Sequence, residues 1–580
     1  MRQLMSGNEA LARGAWEAGV RVAAAYPGTP STELLEALAA YPGVDTGWSP
    51  NEKVALEVAS GAAIAGARAL AAMKHVGVNV AADPLLTLAY TGVNAGLVLV
   101  SADDPGMHSS QNEQDNRHYA RFAKVPMLEP ADSQEAYALV SVAFDLSEQF
   151  DTPVLLRVTT RLSHGKGIVA TGERAELPLR PYAKDPAKYV MVPANARLRR
   201  QALSGRLAQL EAFAEGFALN TVEPGGDVGV IVAGIPYQYV KEAFGSRVSV
   251  FKLTMTWPLP IESLRRWAAG LRAVYVVEEL GPVVAEELLA AGIPVRPSGL
   301  PHAGELTPAA MRTALGPEAG LERSQPARVP AVVPARPPVM CPGCPHRGVF
   351  YVLGRLECAV TGDIGCYTLG YAAPLEAMDT CVCMGASISV GAGFARAWAA
   401  QGQRPVVAVI GDSTFFHSGI TALMDAVHNG GALVTVVLDN RTTGMTGHQD
   451  NPGTGCNLKG ESVPRVEIDA VAKAVGVRHV AKVDPHDLAG TEAALKAAIA
   501  HGGVAVVVAE SPCALLRGGE RRHPRRVLVE CAACSLCAGL GCPALHREGE
   551  EAPAIDPALC AGCGTCAALC PFGAIAGGEV

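Results

Sequence analysis

The strongest constraint on this chain is the crowding of cysteines near its end. Eight of its sixteen cysteines fall in two runs, CAACSLCAGLGCP from Cys531 and CAGCGTCAALCP from Cys560. Disulfide scaffolds are typically small secreted domains. This chain has 580 residues, and its start does not resemble a signal peptide. Thiols spaced as C-x-x-C therefore indicate metal binding in a reducing cytoplasm.

The two runs resemble the bacterial two-cluster ferredoxin pattern. In that pattern three cysteines of one run and the last cysteine of the other bind each [4Fe–4S] cube. The first run departs from it by one extra residue before its last cysteine. The ligands implied by the resemblance are Cys531, Cys534, Cys537 and Cys570 for one cluster, and Cys560, Cys563, Cys566 and Cys542 for the other. Two structural zinc sites are the alternative, because four cysteines around C-x-x-C are also a zinc signature.

Composition and charge argue against other classes of protein. Hydrophobic residues make up 49% of the chain and the net charge is −8, a globular composition that disfavours nucleic acid as a partner. No run of about eighteen apolar residues is free of charges or glycine clusters, so no membrane span is expected. The tail therefore indicates soluble electron transfer, which needs an electron source elsewhere in the chain.

The rest of the chain is predicted to be α/β, with parallel sheets flanked by helices. Buried strands such as GLVLV alternate with helical patterns over residues 1–180, and DVGVIVAG and AVYVVEEL belong to a second α/β unit at 185–320. The proline-rich segment 321–340 is predicted to be a linker. A third α/β unit covers 341–516, and a ferredoxin-like α+β domain covers 527–580.

Polar residues end two buried strands of the third unit. VVAVIGD ends at Gly411 and Asp412, and LVTVVLDN ends at Asp439 and Asn440. Carboxyl ends of parallel strands emerge at one edge of the sheet, where open α/β sheets bind ligands, so Asp412 and Asn440 are expected to meet. Carboxylate, amide and carbonyl oxygens can bind Mg²⁺ together with diphosphate and water. Two ordinary turns are the alternative.

This segment resembles the thiamine diphosphate signature, a Gly-Asp-Gly followed at a distance by Asn-Asn. Ser413 replaces the second glycine and Asp439 the first asparagine, but the two side-chain ligand positions remain. Ser413 and Thr414 lie at the turn into a helix, where N–H and hydroxyl groups suit a phosphate. The positions implied for thiamine diphosphate and its Mg²⁺ are Gly411, Asp412, Ser413, Thr414, Asn440 and the backbone carbonyl of Thr442.

The other half of a thiamine site is expected in the first unit. Glu52 lies in WSPNEKVALEVASG, before a helix of small residues. The resemblance implies that it hydrogen-bonds N1′ of the aminopyrimidine and so promotes loss of the C2 proton. A solvated glutamate at a helix start is the alternative. YPGTPSTE resembles the substrate loop of 2-oxoacid:ferredoxin oxidoreductases, whose threonine matches Thr29.

Related oxidoreductases bind a further cluster close to the thiamine. The matching positions here are Cys341, Cys344, Cys366 and Cys513. Cys456 is a rival fourth ligand, and the C-x-x-C pair alternatively binds zinc or nothing. Cys358, Cys381 and Cys383 are expected to be buried thiols. The resemblance also places Cys383 near the thiamine.

The order of these units, with GDSTFFHSG and LDNRTTGMTGHQ, resembles the large (alpha) subunit of indolepyruvate ferredoxin oxidoreductase over essentially the whole chain. The resemblance implies oxidative decarboxylation of arylpyruvates with coenzyme A, with electrons passing through clusters to ferredoxin. It also implies a smaller β subunit, an α2β2 assembly and a cytoplasmic location. A non-redox thiamine-dependent lyase predicts no iron, and a noncatalytic electron relay predicts clusters without thiamine.

Overall fold

The chain forms two compact units, Met1–Ala331 and Val332–Val580. From here on these are called the first and the second unit. The first contains the predicted units at 1–180 and 185–320, and the second contains the predicted unit at 341–516 and the tail. The computed structural model describes residues 1–323, 336–399, 404–516, 523–547, 549 and 551–577. Residues 324–335 of the predicted linker lie outside the described residues. Across the described ranges, no helix combines the length and the apolar character needed to cross a bilayer.

Strands of the first unit form two α/β sheets and one small pair. They are β1 Arg2–Ser6, β2 Val22–Ala25, β3 Asp45–Trp48, β4 Ala69–Lys74, β5 Leu97–Asp103, β6 Met127–Leu128, β7 Val154–Thr159, β8 Lys166–Ala170, β9 Thr221–Glu223, β10 Val228–Ala233, β11 Ser249–Leu253, β12 Met255–Trp257 and β13 Ala273–Val277. The strand order is β12-β6-β7-β5-β4-β2-β3 in the seven-stranded sheet and β13-β10-β11-β9 in the four-stranded sheet. Strand β12 comes from the middle of the chain and completes the first sheet by pairing antiparallel with β6.

Helices of the first unit alternate with these strands. They are α1 Gly7–Glu17, α2 Thr32–Ala39, α3 Glu52–Ile64, α4 His75–Val80, α5 Ala82–Thr91, α6 Arg117–Ala123, α7 Ser133–Phe150, α8 Thr160–His164, α9 Pro186–Tyr189, α10 Pro193–Glu215, α11 Pro236–Phe244, α12 Ile261–Ala268, α13 Val283–Ala290 and α14 Pro308–Leu315. Strands β4, β5 and β7 are buried along their whole length. Continuous burial is typical of parallel strands covered by helices on both faces.

The second unit is built on a fully parallel six-stranded sheet. Its strands are β14 Ala359–Gly362, β15 Thr380–Cys381, β16 Val406–Gly411, β17 Leu433–Asp439, β18 His479–Val483 and β19 Val504–Glu510, and the tail contributes β20 Arg525–Val527, β21 Leu545–His546, β22 Ala554–Ile555 and β23 Ile575–Gly577. The large sheet has the order β15-β14-β16-β17-β19-β18, and the tail strands form the pairs β20-β23 and β21-β22. Its helices are α15 His346–Leu353, α16 Ala386–Trp398, α17 Asp412–Thr414, α18 Ile420–Asn429, α19 Ile468–Ala474, α20 Leu488–Ala500 and α21 Thr565–Ala568. The predicted α/β class with parallel sheets is confirmed.

Buried ion pairs fasten strand ends within the seven-stranded sheet, and one further pair links this sheet to the four-stranded sheet. Arg157 pairs with Asp103 at 2.7 Å and with Glu129 at 2.6 Å. Arg117 pairs with Glu278, which follows β13 of the four-stranded sheet, at 2.5 Å. Both guanidinium groups are buried. Buried ions need partners of opposite charge, so these arginines hold the acidic strand ends together.

Replacing Arg157 should destabilise the first unit strongly. Arg157→Met leaves Asp103 and Glu129 buried without their counterion, so we expect the free energy of unfolding to fall by roughly 3–5 kcal/mol. Urea unfolding followed by circular dichroism measures the change. Arg272→Met is the control, because Arg272 is half exposed in its pair with Asp227, and its unfolding midpoint should not move. Equal shifts in the two variants would contradict the assignment.

Candidate active site and cysteine groups

Asp412 and Asn440 lie side by side at the carboxyl edge of the six-stranded sheet. Strands β16 and β17 pair in parallel with Gly411 opposite Leu438, so the two strands end at the same level. Asp412 begins α17 and Asn440 follows β17, and both residues are buried. A Cβ atom on Gly411 would lie 2.6 Å from the ring of Tyr367, so only glycine fits this strand end.

Three oxygen atoms converge between these residues. The amide oxygen of Asn440 faces two other acceptors, the carbonyl oxygen of Thr442 at 2.8 Å and Asp412 Oδ1 at 3.3 Å. If the amide were turned over, its nitrogen would donate to both of these acceptors. In the present orientation the nitrogen instead lies 3.5 Å from His346 Nε2. Burial lowers the pKa of His346 to about 4, so the ring is neutral and can accept from this nitrogen as the Nδ1–H tautomer. Three converging oxygens fit a hard cation such as Mg²⁺.

Within the described ranges, the buried carboxylate of Asp412 forms no salt bridge. Burial, and next the neighbouring carboxylate of Asp439, raise the pKa of Asp412 to about 7. The N–H of Ser413 donates to Oδ1 at 2.8 Å and Asn451 Nδ2 donates to Oδ2 at 3.3 Å, and both bonds oppose the shift. A divalent cation at this point would favour the ionised form.

The two hydroxyl groups predicted for phosphate binding already have partners. Thr443 Oγ1 donates to Ser413 Oγ at 3.0 Å, and Thr414 Oγ1 donates to the carbonyl of Ile364 at 3.2 Å. These bonds fasten the turn after β16 to the neighbouring loops. Both residues lie directly after β16, and their hydroxyl groups are turned toward the protein.

Asp363 organises the same sheet edge and was missed from the sequence. It follows β14, is fully buried, and accepts from the N–H of Ser387 at 3.0 Å at the start of α16. Cys383 lies close enough for the Asp363 carboxylate to raise its pKa after burial. Cys383 and Cys381 are exposed, so their prediction as buried thiols is wrong, whereas Cys358 is buried. Among the described residues, β15 is a two-residue strand at the edge of the sheet, and Cys383 lies in the loop just after it.

Four cysteines lie next to the converging oxygens: Cys341, Cys344, Cys366 and Cys513. Burial raises the pKa of Cys344 to about 12, and the thiols of Cys366 and Cys341 add to the shift. Burial also raises the pKa of Cys366 to about 11, with Cys513 and Cys341 as neighbouring thiols. The N–H of Cys513 donates to the carbonyl of Asn440 at 3.0 Å. The group therefore borders the candidate magnesium ligands.

Cys513 and Cys456 differ as fourth members of this group. Cys513 Sγ lies 3.6 Å from His448 Nε2 and is partly buried. Cys456 is exposed, and its backbone bridges to Ser462. The neighbouring thiols of Cys366 and Cys341 favour Cys513.

The first tail group combines both cysteine runs. Burial raises the pKa of Cys537, and the thiols of Cys531, Cys534 and Cys570 raise it further. The N–H of Ala574 donates to Cys570 Sγ at 3.2 Å. Amide bonds to sulfur are among the features that tune the potential of iron–sulfur clusters.

The second tail group also combines the runs. Burial raises the pKa of Cys566 to about 12, with Cys563, Cys542 and Cys560 as neighbouring thiols. The N–H of Arg525 donates to Cys560 Sγ at 3.3 Å. Each tail group thus contains three cysteines of one run and the last cysteine of the other.

A site for one metal ion needs side chains closer together than a group of neighbouring cysteines requires. Within the described ranges, no three His, Cys, Asp or Glu side chains converge as one coordinated ion requires. A [4Fe–4S] cube needs four thiolates around a cluster rather than at one point. The mixed groups of four contain the cysteines that the resemblance implies for each cluster.

Glu52 and Thr29 lie at the carboxyl edge of the seven-stranded sheet. Asn51 caps α3 through its side chain, and Glu52 is the first helical residue. Glu52 is buried against Gly77, where a Cβ atom would lie 2.7 Å from its Oε1. Thr29 lies in the loop after β2, and its carbonyl accepts from Ser109 Oγ at 3.3 Å. Burial of Glu52 is inconsistent with a solvated helix-start glutamate.

Three family models match the chain. Residues 363–509 match the thiamine pyrophosphate enzyme C-terminal TPP-binding domain. Residues 13–204 match the thiamine diphosphate-binding domain of pyruvate flavodoxin/ferredoxin oxidoreductase. Residues 552–575 match a 4Fe-4S binding domain. These matches cover the Asp412 site, the Glu52 site and the second tail run.

Curated relatives align over nearly the full length. The chain is 42% identical to indolepyruvate oxidoreductase subunit IorA of Archaeoglobus fulgidus, covering 98% of this chain and 96% of the relative. It is 43% identical to the IorA subunit of Methanothermobacter marburgensis, covering 99% and 97%. It is 44% identical to that of Methanothermobacter thermautotrophicus, covering 98% and 96%.

Removing the charge of Asp412 should strongly weaken cofactor retention. Because replacing even outer-shell partners costs 10–100-fold in metal affinity, Asp412→Asn should weaken binding of Mg²⁺ with thiamine diphosphate by roughly 100-fold or more. Equilibrium dialysis of the full chain measures the loss. Asp439→Asn is the matched control at the neighbouring strand end, because Asp439 Oδ1 accepts from the Arg441 N–H at 3.1 Å. Comparable losses in both variants would sink the assignment.

Proposed function

The chain belongs to the family of indolepyruvate oxidoreductase subunits IorA, and from this membership we propose its reaction in detail. An arylpyruvate and coenzyme A are converted to arylacetyl-CoA, CO2, a proton and two electrons. The electrons leave one at a time through iron–sulfur clusters to ferredoxin. A cytoplasmic location suits a chain whose sixteen cysteines form no disulfide.

The observation that carries the proposal is the proximity of the converging oxygens to a cysteine group. Asp412, Asn440 and the carbonyl of Thr442 would hold Mg²⁺ and, through it, the diphosphate of thiamine diphosphate. When bound, the thiazolium ring stabilises the negative charge that decarboxylation leaves on the substrate. The bond from Cys513 N–H to the Asn440 carbonyl supports a cluster beside that ring.

Residues of the first unit would supply proton transfer and substrate binding. The buried carboxylate of Glu52 would bind N1′ of the aminopyrimidine and promote proton transfer there. The hydroxyl of Thr29 would contact the 2-oxoacid. Burial of Glu52 supports this role, because a carboxylate away from water makes a stronger hydrogen bond.

A direct contact within the second unit supports an internal electron path. Gly343, inside the first C-x-x-C, packs so closely that an added Cβ would lie 2.6 Å from Ala561 Cβ, inside the second tail run. Arg347 donates to the carbonyls of Leu540 at 2.6 Å and Gly541 at 2.7 Å, just before the last cysteine of the first run. We infer that electrons pass from the cluster beside thiamine to the second tail group, and then to the first.

The relatives' names describe a subunit, so a second protein is expected. We propose a smaller β subunit in an α2β2 assembly, with ferredoxin as the electron acceptor. The complex of both subunits is the form in which activity should be measured.

Ferredoxin reduction tests the reaction. The anaerobically purified complex should reduce ferredoxin with indolepyruvate or phenylpyruvate only when coenzyme A is present, and pyruvate should be a poorer substrate. Iron, acid-labile sulfide and thiamine should all be present. Equal or faster reduction with pyruvate would contradict the aryl preference. Thiamine without iron would favour a non-redox lyase, and iron without thiamine would favour an electron relay.

Replacement of Glu52 should separate chemistry from cofactor binding. Glu52→Gln keeps the size of the side chain but weakens proton transfer, a contribution of typically 10²–10⁴-fold, so kcat should fall by roughly 100-fold or more. Iron and thiamine contents should not change. Glu57→Gln on the same helix is the control, because Glu57 is exposed in its pair with Lys53. A Glu52→Gln complex with normal kcat would remove Glu52 from the mechanism.

A further inference from the structure

Lys74 is a buried cation that the mechanism above does not use. It is the last residue of β4 and is only 9% exposed. Strand β4 is the neighbour of β2, and the loop that carries Thr29 follows β2. A Cβ atom on Gly28 would lie 3.2 Å from Lys74 Cβ. Lys74 therefore packs directly against the predicted substrate loop.

The ammonium group has backbone and hydroxyl partners but no paired carboxylate. Lys74 Nζ donates to the carbonyl of Ser109 at 2.5 Å and lies 3.4 Å from Ser109 Oγ. In the part of the chain that the structure describes, Lys74 forms no salt bridge. The same Ser109 hydroxyl donates to the carbonyl of Thr29. One serine thus joins the ammonium group to the substrate loop.

Asp104 and Glu52 are the acids whose charges act on Lys74, and the oxygens of Asp104 are occupied by other donors. Asp104 accepts from the N–H of Ser109 at 2.9 Å, from Ser110 Oγ at 2.5 Å and from Thr160 Oγ1 at 2.7 Å. Burial lowers the pKa of Lys74 to about 8, although Asp104 and Glu52 oppose the shift. Burying an ammonium without a counterion is costly, so the position indicates an anionic ligand.

We propose that Lys74 binds the carboxylate of the 2-oxoacid substrate, beside Thr29. This inference rests on the proposed function. The carboxylate is bonded directly to the reacting keto carbon, so its partner must lie close to Glu52 and the substrate loop, as Lys74 does. The phosphates of coenzyme A are separated from its thiol by a long arm and have no reason to lie there. The ligand of Lys74 is thus a carboxylate rather than a phosphate.

Substrates that differ only in the carboxylate test the assignment. Phenylpyruvate and phenylacetaldehyde have the same aryl group. With coenzyme A the aldehyde yields the same thioester and the same two electrons without releasing CO2. Because a hydrogen bond to a charged group is lost, Lys74→Met should lower kcat/KM for phenylpyruvate by roughly 10- to 100-fold. The kcat/KM for phenylacetaldehyde and the KM for coenzyme A should stay near those of the wild type.

Two further variants control for folding and charge. Lys74→Arg keeps the positive charge and should recover part of the loss. Lys166→Met removes an exposed lysine of the same unit and should leave kcat/KM unchanged for both substrates. Equal losses with phenylpyruvate and phenylacetaldehyde in Lys74→Met, or no loss with either, would overturn the proposal.

Calorimetric binding of phenylpyruvate to the thiamine-free complex gives a readout without turnover. Lys74→Met should weaken the Kd by the same roughly 10- to 100-fold, whereas Lys166→Met should not. If the wild-type complex oxidises no 2-oxoacid but binds phenylpyruvate through Lys74, the proposed function fails and the carboxylate site stands. If turnover is normal and Lys74→Met leaves the Kd for phenylpyruvate unchanged, only the carboxylate site fails. A wild-type complex that binds no phenylpyruvate also contradicts the site.

Discussion

The second unit depends on the meeting of three oxygen atoms at the ends of two parallel strands. Acceptors placed this close repel one another unless a cation or a donor lies between them. They stay together because the register of β16 and β17 aligns the strand ends and Tyr367 leaves space only for Gly411. Neutral His346 lies 3.5 Å from the amide nitrogen of Asn440 and can accept from it when the amide oxygen points inward. The fold therefore maintains an arrangement that a divalent cation relieves.

Direct contacts connect the cysteine groups to these three oxygen atoms. Cys513 bonds to the backbone of Asn440, and the loop of Cys341 and Cys344 packs on Ala561 of the tail. One continuous set of contacts thus links the oxygen site to the sulfur groups. Under the proposed function, these contacts would keep the tail close to the site from which it takes electrons.

The sequence predicted the parts that local pattern determines. Strand ends, the C-x-x-C spacings and the α/β class follow from periodicity and from short motifs, so Asp412 and Asn440 were found. His346 and Asn451 were missed because they reach the strand ends from a helix start and a loop that are distant in sequence. Asp363 carried the same signal as Asp412, a Gly-Asp after a strand, and was overlooked. The exposure of Cys381 and Cys383 could not be predicted, because a two-residue edge strand leaves almost no sequence pattern.

The buried charged residues discussed above fall into two classes: those paired with a side chain of opposite charge and those that are not. Arg157 and Arg117 meet carboxylates at hydrogen-bond distance, and such closed networks position sheets. Lys74 and Asp412 are also buried, yet neither meets a side chain of opposite charge within the described residues. Folding alone gives no reason to retain an unpaired ion that an apolar side chain could replace. Each of these two residues lies at the carboxyl edge of a parallel sheet, where ligands bind. Unpaired burial at such an edge is therefore better explained by a ligand of opposite charge than by stability.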